Sequence, residues 1–227
     1  MDKDFPFERI ASHYWHIPLE ICYINTHILI SGTGRAGTTF LLRLLGALGE
    51  DTGFSNPEKD MDPISHAGLE VDLLTVPMPR VVRSPFACEK LAVALEKRLY
   101  RGEHCLVPMR DLYSAAESRR RISRLHGKSG ANQVPGGIWD AETPEQQENE
   151  LAHKFYHLML TLARYNIPLT LLDFPRLVND SEYLWTCLSP VFPKIGKSDF
   201  SSAFKDLVRP EWVHQLEGSH RKIVAER

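Results

Sequence analysis

The segment 27–48, HILISGTGRAGTTFLLRLLGAL, constrains the fold of this chain more than any other. It begins with an apolar run, continues through Gly32, Gly34 and Gly37, and ends in leucines at helical spacing after two threonines. This order predicts a buried strand, a glycine-rich turn and a helix that begins at Thr38. In such an arrangement the amides of the turn and the helix N-terminus face one spot, which favours binding of an anion, usually a phosphate.

The glycine spacing of residues 32–39 is that of the Walker A phosphate loop, with one decisive difference. The phosphate-binding lysine of that motif would stand at position 38, where this chain has Thr38, and the nearest cation is Arg35. We therefore expect a phosphate-ester chemistry unlike that of an ordinary ATPase. The alternative is a glycine-rich turn without a ligand. The residues expected to form the phosphate nest are Gly34, Arg35, Ala36, Gly37, Thr38 and Thr39.

Strand-like and helix-like patterns alternate along the rest of the chain. The predicted strands are 27–31, 80–83, 103–109 and 169–172. The predicted helices are 38–48, a short one near 67–75, 88–100, 111–125, one that begins at Thr143, and 180–188. This alternation predicts an α/β fold in which helices cover both faces of a parallel sheet. Residues 126–142 are predicted to form a mobile loop, and no element is assigned after Phe192.

The carboxyl ends of the four predicted strands carry the residues that point to chemistry. These ends are Gly34-Arg35, Arg83-Ser84, Arg110-Asp111 and Asp173. Ligands of parallel α/β sheets bind at this edge. Three arginines are therefore expected to converge on one rim and to form a positive cradle for a polyanionic ligand.

Length and charge set the outer limits. The chain of 227 residues suffices for one domain, with a core expected at about 27–190. A net charge of −2 gives no general basic field for nucleic acid. No apolar run reaches the roughly 20 residues of a membrane helix, and the N-terminus lacks a signal-peptide core. We expect a cytoplasmic protein with reduced thiols at four scattered cysteines, which are Cys22, Cys88, Cys105 and Cys187.

Four segments together resemble the sulfotransferases that use 3′-phosphoadenosine 5′-phosphosulfate (PAPS). SGTGRAGTTFLLRLL resembles their 5′-phosphosulfate loop, and VVRSP resembles a basic strand end that many members show. VPMRDLYSAAESR resembles their 3′-phosphate motif, in which a strand-end arginine and a serine eight residues on clamp the phosphate. In this chain those residues are Arg110 and Ser118. LLDFPRLVNDSEYL resembles a downstream strand–helix segment of bacterial members.

The resemblance implies a three-layer fold of P-loop type and transfer of a sulfonate group from PAPS to a hydroxyl or amine. The acceptor would be a small molecule or a glycan, and no metal is required. Arg35 would stabilise charge on the bridging oxygen as it leaves. Arg83 would touch the sulfonate or the acceptor, and Trp139 on the loop would close over adenine or acceptor.

The acceptor also needs a base to remove its proton. The candidates are Glu58, His66, Glu70 and His104. Glu70 is preferred, because it lies at a predicted loop-to-helix junction facing the rim, and Glu58 is second. His104 is expected to be a structural residue of its strand.

Several alternatives remain open at this stage. A small-molecule kinase or other nucleoside triphosphatase would need magnesium, and Asp111 and Asp173 are its obvious ligands. A nucleotide-binding module without catalysis is suggested by Asp173-Phe174, because the resembled family usually has Tyr-Glu there. Arg110 and Ser118 could instead belong to an exposed arginine-rich helix, and Arg83 could pair with a local acid.

Overall fold

A single parallel sheet lies at the centre of the computed structural model, which describes residues 26–127, 134–209 and 212. Its strands are β1 (His27–Ile30), β2 (Val81–Arg83), β3 (Gly102–Met109) and β4 (Leu169–Asp173). They follow the order β2-β1-β3-β4, and every neighbouring pair is parallel. The predicted parallel α/β sheet is therefore confirmed, with a strand at each of the four predicted places.

Helices connect the strands and close the sheet on both faces. They are α1 (Thr38–Ala47), α2 (Pro57–Asp60), α3 (Ala87–Glu96), α4 (Leu112–Leu125), α5 (Gln147–Arg164), α6 (Arg176–Asn179), α7 (Ser181–Leu188) and α8 (Lys197–Leu207). A 3-10 turn, Pro144–Gln146, leads into α5 and carries the capping box predicted at Thr143. None of the helices within these described ranges combines the length and apolarity needed to cross a membrane.

Successive side chains of β1 point to opposite faces of the sheet and pack against the helices on each face. Ile28 and Ile30 pack with α1, α7 and α8, whereas Leu29 packs with α3 and α5 on the opposite face. All three side chains are fully buried, as expected for a central strand of a covered parallel sheet. Burial of each such side chain contributes about 1.5–3 kcal/mol, so β1 is a rigid base for the loop that follows it.

Two stretches differ from the sequence prediction. The helix predicted near 67–75 is wrong, because His66, Gly68 and Leu69 all have positive φ angles (53°, 115° and 63°), which interrupt a helix. The chain forms turns there, and a bridge joins Met61 to Gly68. Conversely, α8 lies where no element was assigned, and it contributes Phe200 to the core.

The cysteines follow the prediction where they are described. Cys88, Cys105 and Cys187 are free thiols, and Cys105 is fully buried in β3. Burial raises the pKa of Cys88 to about 12, so its thiol stays protonated. Cys22 lies outside the described residues.

Candidate functional site

A cavity of about 670 Å³ opens at the carboxyl edge of the sheet, where the loops after β1, β2 and β3 meet. This is the edge at which parallel sheets bind their ligands. The lining includes ten of the residues singled out from sequence. They are Gly34, Arg35, Gly37, Thr38, Thr39, His66, Glu70, Arg83, Arg110 and Ser118. Trp139 lines the cavity as well, whereas Ala36 is fully buried behind the loop.

The loop between β1 and α1 turns through left-handed backbone. Gly34, Arg35 and Gly37 have φ angles of 70°, 56° and 84°. Glycine adopts this conformation freely, whereas for Arg35 it costs about 1 kcal/mol. Gly37 is the N-cap of α1 and offers no side chain to its first amides. Because Gly37, Thr38 and Thr39 line the cavity, the positive end of the helix dipole of α1 faces it.

Arg35 joins three parts of the predicted site. Its Nε donates to Ser118 Oγ at 3.1 Å, and its Nη1 donates to the carbonyl of Ser65 at 2.6 Å. Arg110 Nη1 donates in turn to the carbonyl of Arg35 at 2.8 Å. Burial, reinforced by the charges of Arg110 and Arg83, lowers the pKa of Arg35 to about 10. The cation is thus desolvated and crowded by like charges.

Arg83 is the last residue of β2. Its contacts agree both with a position at the predicted site and with the alternative of a pair with a local acid. Its Nε donates to Thr38 Oγ1 at 3.0 Å, which ties it to the start of α1. Its Nη1 pairs with Glu70 Oε1 at 2.7 Å and also donates to the carbonyl of Gly68. Arg83 therefore lines the cavity, as predicted, and pairs with a local acid, as the alternative held.

Arg119 is a residue of the site that the sequence interpretation missed, because it gave the arginines of α4 no role in the site. Its residue is only 5% exposed, and its guanidinium donates to the carbonyls of Thr33 and Gly137, each at 2.8 Å. It also lies over the Trp139 ring at 5.2 Å. The only signal in the sequence is spacing, because Arg119 is four residues after Ala115 and therefore on the same face of the helix, and the structure shows that this face is buried.

Only two of the four candidate bases line the cavity. Glu70 and His66 do so, although Glu70 is engaged by Arg83. The prediction of Glu58 is not supported by its position, because its side chain is 60% exposed and does not line this cavity, although it pairs with Arg43, which does. His104 Nε2 lies 2.8 Å from Thr170 Oγ1 between β3 and β4, as expected for a structural histidine.

His66 has the electrostatic environment of a neutral imidazole. Burial, together with the nearby charge of Arg35, lowers its pKa below the ordinary value of 6.5. Its ring stacks on Trp212, with 3.8 Å between centroids, and its carbonyl accepts a hydrogen bond from Thr39 Oγ1 at 3.2 Å. The imidazole is therefore unprotonated at neutral pH and able to accept a proton.

Trp139 is contacted by several residues around the cavity, and its predicted closure over adenine or acceptor stays a prediction. Its backbone N–H donates to Gln147 Oε1 at 2.7 Å, and its carbonyl accepts from Gln147 Nε2 at 3.1 Å. Its ring meets Phe86 edge-on at 5.6 Å and lies under Lys154 Nζ at 4.6 Å. It therefore forms part of the cavity wall. The part of the predicted mobile loop at 128–133 lies outside the described residues.

The two aspartates of the kinase alternative are not brought to the cavity. Asp111 Oδ1 accepts the backbone N–H of Ser114 at 2.9 Å and caps α4. Asp173 is exposed at the end of β4, where its backbone N–H donates to Tyr183 Oη at 2.8 Å. Within the described ranges, no three His, Cys, Asp or Glu side chains are grouped so as to hold a metal ion.

The charge of the lining is strongly one-sided. Six arginines contribute to it, which are Arg35, Arg43, Arg83, Arg110, Arg119 and Arg209. Among the described residues, Glu70 is the only carboxylate that faces them in the lining. An anionic ligand would relieve this repulsion.

No protein-family model matches the chain, and comparisons with curated proteins and with solved structures find no significant match.

Proposed function

We propose that this chain is a PAPS-dependent sulfotransferase with a three-layer fold of P-loop type. One observation carries the proposal. The β1–α1 loop, Arg110 at the end of β3 and Ser118 on α4 contact one another through Arg35 at the edge of one positive cavity. These are the two phosphate-binding segments of the resemblance, and they come from separate parts of the chain.

The cavity fits the donor in size and in charge. Its volume of about 670 Å³ lies within the range of roughly 300–1,000 Å³ that is usual for small-molecule sites. PAPS carries phosphate at both ends of its ribose, so it needs two cationic positions within one site. The amides of the β1–α1 loop would hold the 5′-phosphate, and Arg110 with Ser118 would hold the 3′-phosphate. Ser118 Oγ accepts from Arg35 and can still donate to a phosphate oxygen.

Arg35 is the residue we assign to stabilising the leaving group. The donor supplies an activated sulfonate, and negative charge grows on the bridging phosphate oxygen during transfer. A buried cation fixed by Ser118 and Ser65 stabilises that charge without reorganisation. A positioned charge of this kind is worth more in the transition state than in the ground state.

His66 is the better placed of the two candidate bases that line the cavity. Its lowered pKa keeps the imidazole neutral, whereas the Glu70 carboxylate is held by Arg83. We therefore assign His66 to accept the proton of the acceptor hydroxyl or amine, and Glu70 to orient Arg83.

The acceptor of the proposed reaction is a small molecule or a glycan. The lining offers aromatic faces for it at Phe40, Phe86, Trp139, Phe174 and Trp212. Aromatic rings pack against apolar rings and against sugar faces alike. The free thiols of the described cysteines suit a cytoplasmic location, which belongs to the same proposal.

A thermal-shift titration with 3′,5′-bisphosphoadenosine tests the proposal. ATP with Mg²⁺ and adenosine 5′-monophosphate serve as parallel ligands. A ligand specific to the folded state stabilises it by about 2.7 kcal/mol at a hundredfold excess over its Kd. We expect stabilisation by the bisphosphate, and we expect Arg110→Ala to reduce it to about 0.4–1.4 kcal/mol at the same ligand concentration. Stabilisation by ATP with Mg²⁺ alone would favour the kinase. Tight nucleotide binding without turnover on a broad acceptor panel would favour the non-catalytic module.

A further inference from the structure

Arg119 is a buried cation with an unusual set of partners. Its residue is 5% exposed, yet none of the described carboxylates lies within ion-pair distance of it. Its Nε has no hydrogen-bond partner among the described residues, and its two terminal nitrogens donate only to backbone carbonyls. A buried charge without a counterion is costly, so a purely structural role does not explain it.

The two carbonyls belong to different segments of the cavity wall. Nη2 donates to Thr33 in the β1–α1 loop, and Nη1 donates to Gly137 in the segment 134–139. The same guanidinium lies over the ring of Trp139. The contact with the loop is so close that a Cβ at Gly34 would lie 2.5 Å from Nη2. One side chain thus fixes the spacing between the loop and the opposite wall.

We infer that Arg119 is a positioning residue that couples anion binding on the β1–α1 loop to the order of the segment 134–139. The inference rests on the proposed function only for the identity of the anion. Arg35 and Arg83 repel Arg119, so an anion held by these two residues offsets the repulsion that opposes the position of Arg119 on both carbonyls. The wall that carries Trp139 then becomes better ordered when the loop is occupied.

The geometry also predicts which substitutions of Arg119 break the bridge between the two carbonyls. A guanidinium reaches two carbonyls because its donors form a rigid fork, whereas a lysine ammonium is a single point charge. Arg119→Lys keeps the charge and loses the bridge, and Arg119→Met loses both. The matched control is Arg121→Met, because Arg121 lies exposed on the same helix and its loss removes the same charge.

The test is hydrogen exchange of the wild-type protein with inorganic phosphate as the probe. Gly136 packs against Arg35 of the β1–α1 loop, where an added Cβ would lie 3.1 Å from Nη1, so a phosphate ion can reach both segments. Slower exchange at 134–139 therefore reports coupling through Arg119 only where substitution of Arg119 removes it. We expect phosphate to slow exchange several-fold in both 33–37 and 134–139. Slowing confined to 33–37, or no slowing at all, would overturn the inference. These two overturning outcomes require no variant to fold.

The variants then separate charge from position. We expect both Arg119→Lys and Arg119→Met to raise the phosphate Kd about tenfold and to abolish the slowing at 134–139, with less than about twofold change in Arg121→Met. If Arg119→Lys bound phosphate with wild-type affinity, the positive charge at position 119 would suffice without the bridge between the two carbonyls. That result would contradict the inference. Failure of 3′,5′-bisphosphoadenosine to bind would instead remove the proposed function and leave the phosphate result standing.

Discussion

The two ends of β2 carry arginines with opposite surroundings. Arg80 precedes the strand and binds both oxygens of Glu103, at 2.9 and 3.2 Å, with Glu50 at 3.4 Å. At the other end, Arg83 pairs with Glu70 and lines the same cavity as Arg35 and Arg119. The hydrogen bond from Arg80 to Glu103 raises the pKa of Arg80, whereas burial lowers the pKa of Arg35.

This difference supports our proposal that the functional site lies at the carboxyl end of the sheet. Arg80 contributes its charge to a pair that is complete within the chain. Arg35 and Arg119 are desolvated and are repelled by neighbouring arginines, and Glu70 is the only carboxylate among the described residues of the lining. Stability alone disfavours such a cluster, and the polyanionic ligand that we propose would supply the missing negative charge.

The comparison between the two ends of the sheet is tested most strongly by Arg35→Met, for which we expect the largest loss of kcat. Removing a positioned charge that acts in the transition state costs about 10²–10³ in kcat. We expect a loss of this size in sulfonate transfer from PAPS, with a smaller change in KM. Steady-state kinetics on the first identified acceptor measure it, and Arg80→Met is the matched control. Equal losses in the two variants would show that arginine at either end matters only for folding.

A second, smaller effect is expected from Arg110→Ala. Loss of a charge-assisted bidentate contact weakens binding by about 1.5–3 kcal/mol, which is about ten- to a hundredfold in Kd. Calorimetric titration with 3′,5′-bisphosphoadenosine measures it. Adenosine 5′-monophosphate separates the two phosphates, because it lacks the group that Arg110 would hold. An equal loss of affinity for both nucleotides would contradict the assignment of Arg110 to the 3′-phosphate.

A still smaller effect concerns the pH dependence of the cavity. His66 acts as a base only when neutral, and its pKa lies below 6.5 in the folded protein. At pH 6.5 more than half of the imidazole is therefore neutral, and for the proposed reaction we expect the midpoint of the fall in kcat/KM to lie below pH 6.5. The sign for stability is the same, because a lowered histidine pKa removes stability as the pH falls below 6.5. A pH profile of kcat/KM from 5 to 8 measures it, and a midpoint above 6.5 would contradict it.

The sequence predicted the parts of the site that depend on local pattern. The β1–α1 loop, the strand-end positions of Arg83 and Arg110, and the start of α1 all follow from periodicity and glycine spacing. Strand ends of a parallel sheet meet at one edge whatever the loops do, so the convergence of these arginines needed no further information.

The rest depended on contacts that no local pattern encodes. Glu58 and Glu70 look alike in sequence, and only the tertiary fold pairs one with Arg43 and brings the other to Arg83. The helix expected near 67–75 failed because the left-handed backbone at His66 and Leu69 is not specific to those residue types. The backbone of Trp139 is hydrogen-bonded to Gln147 across a turn, which a glycine-rich sequence does not reveal.

The smallest effect is expected from Arg80→Ala at the opposite end of β2. Its side chain is 38% exposed, and an exposed ion pair contributes about 1 kcal/mol or less. We expect a correspondingly small fall in the free energy of unfolding, measured in urea, and unchanged affinity for 3′,5′-bisphosphoadenosine. Because Arg80 lowers the pKa of Glu103, the difference from wild type should vanish as the pH falls below 4.5 and that carboxylate is protonated. If Arg80→Ala weakened nucleotide binding as much as Arg110→Ala, the contrast between the two ends of the sheet would be lost.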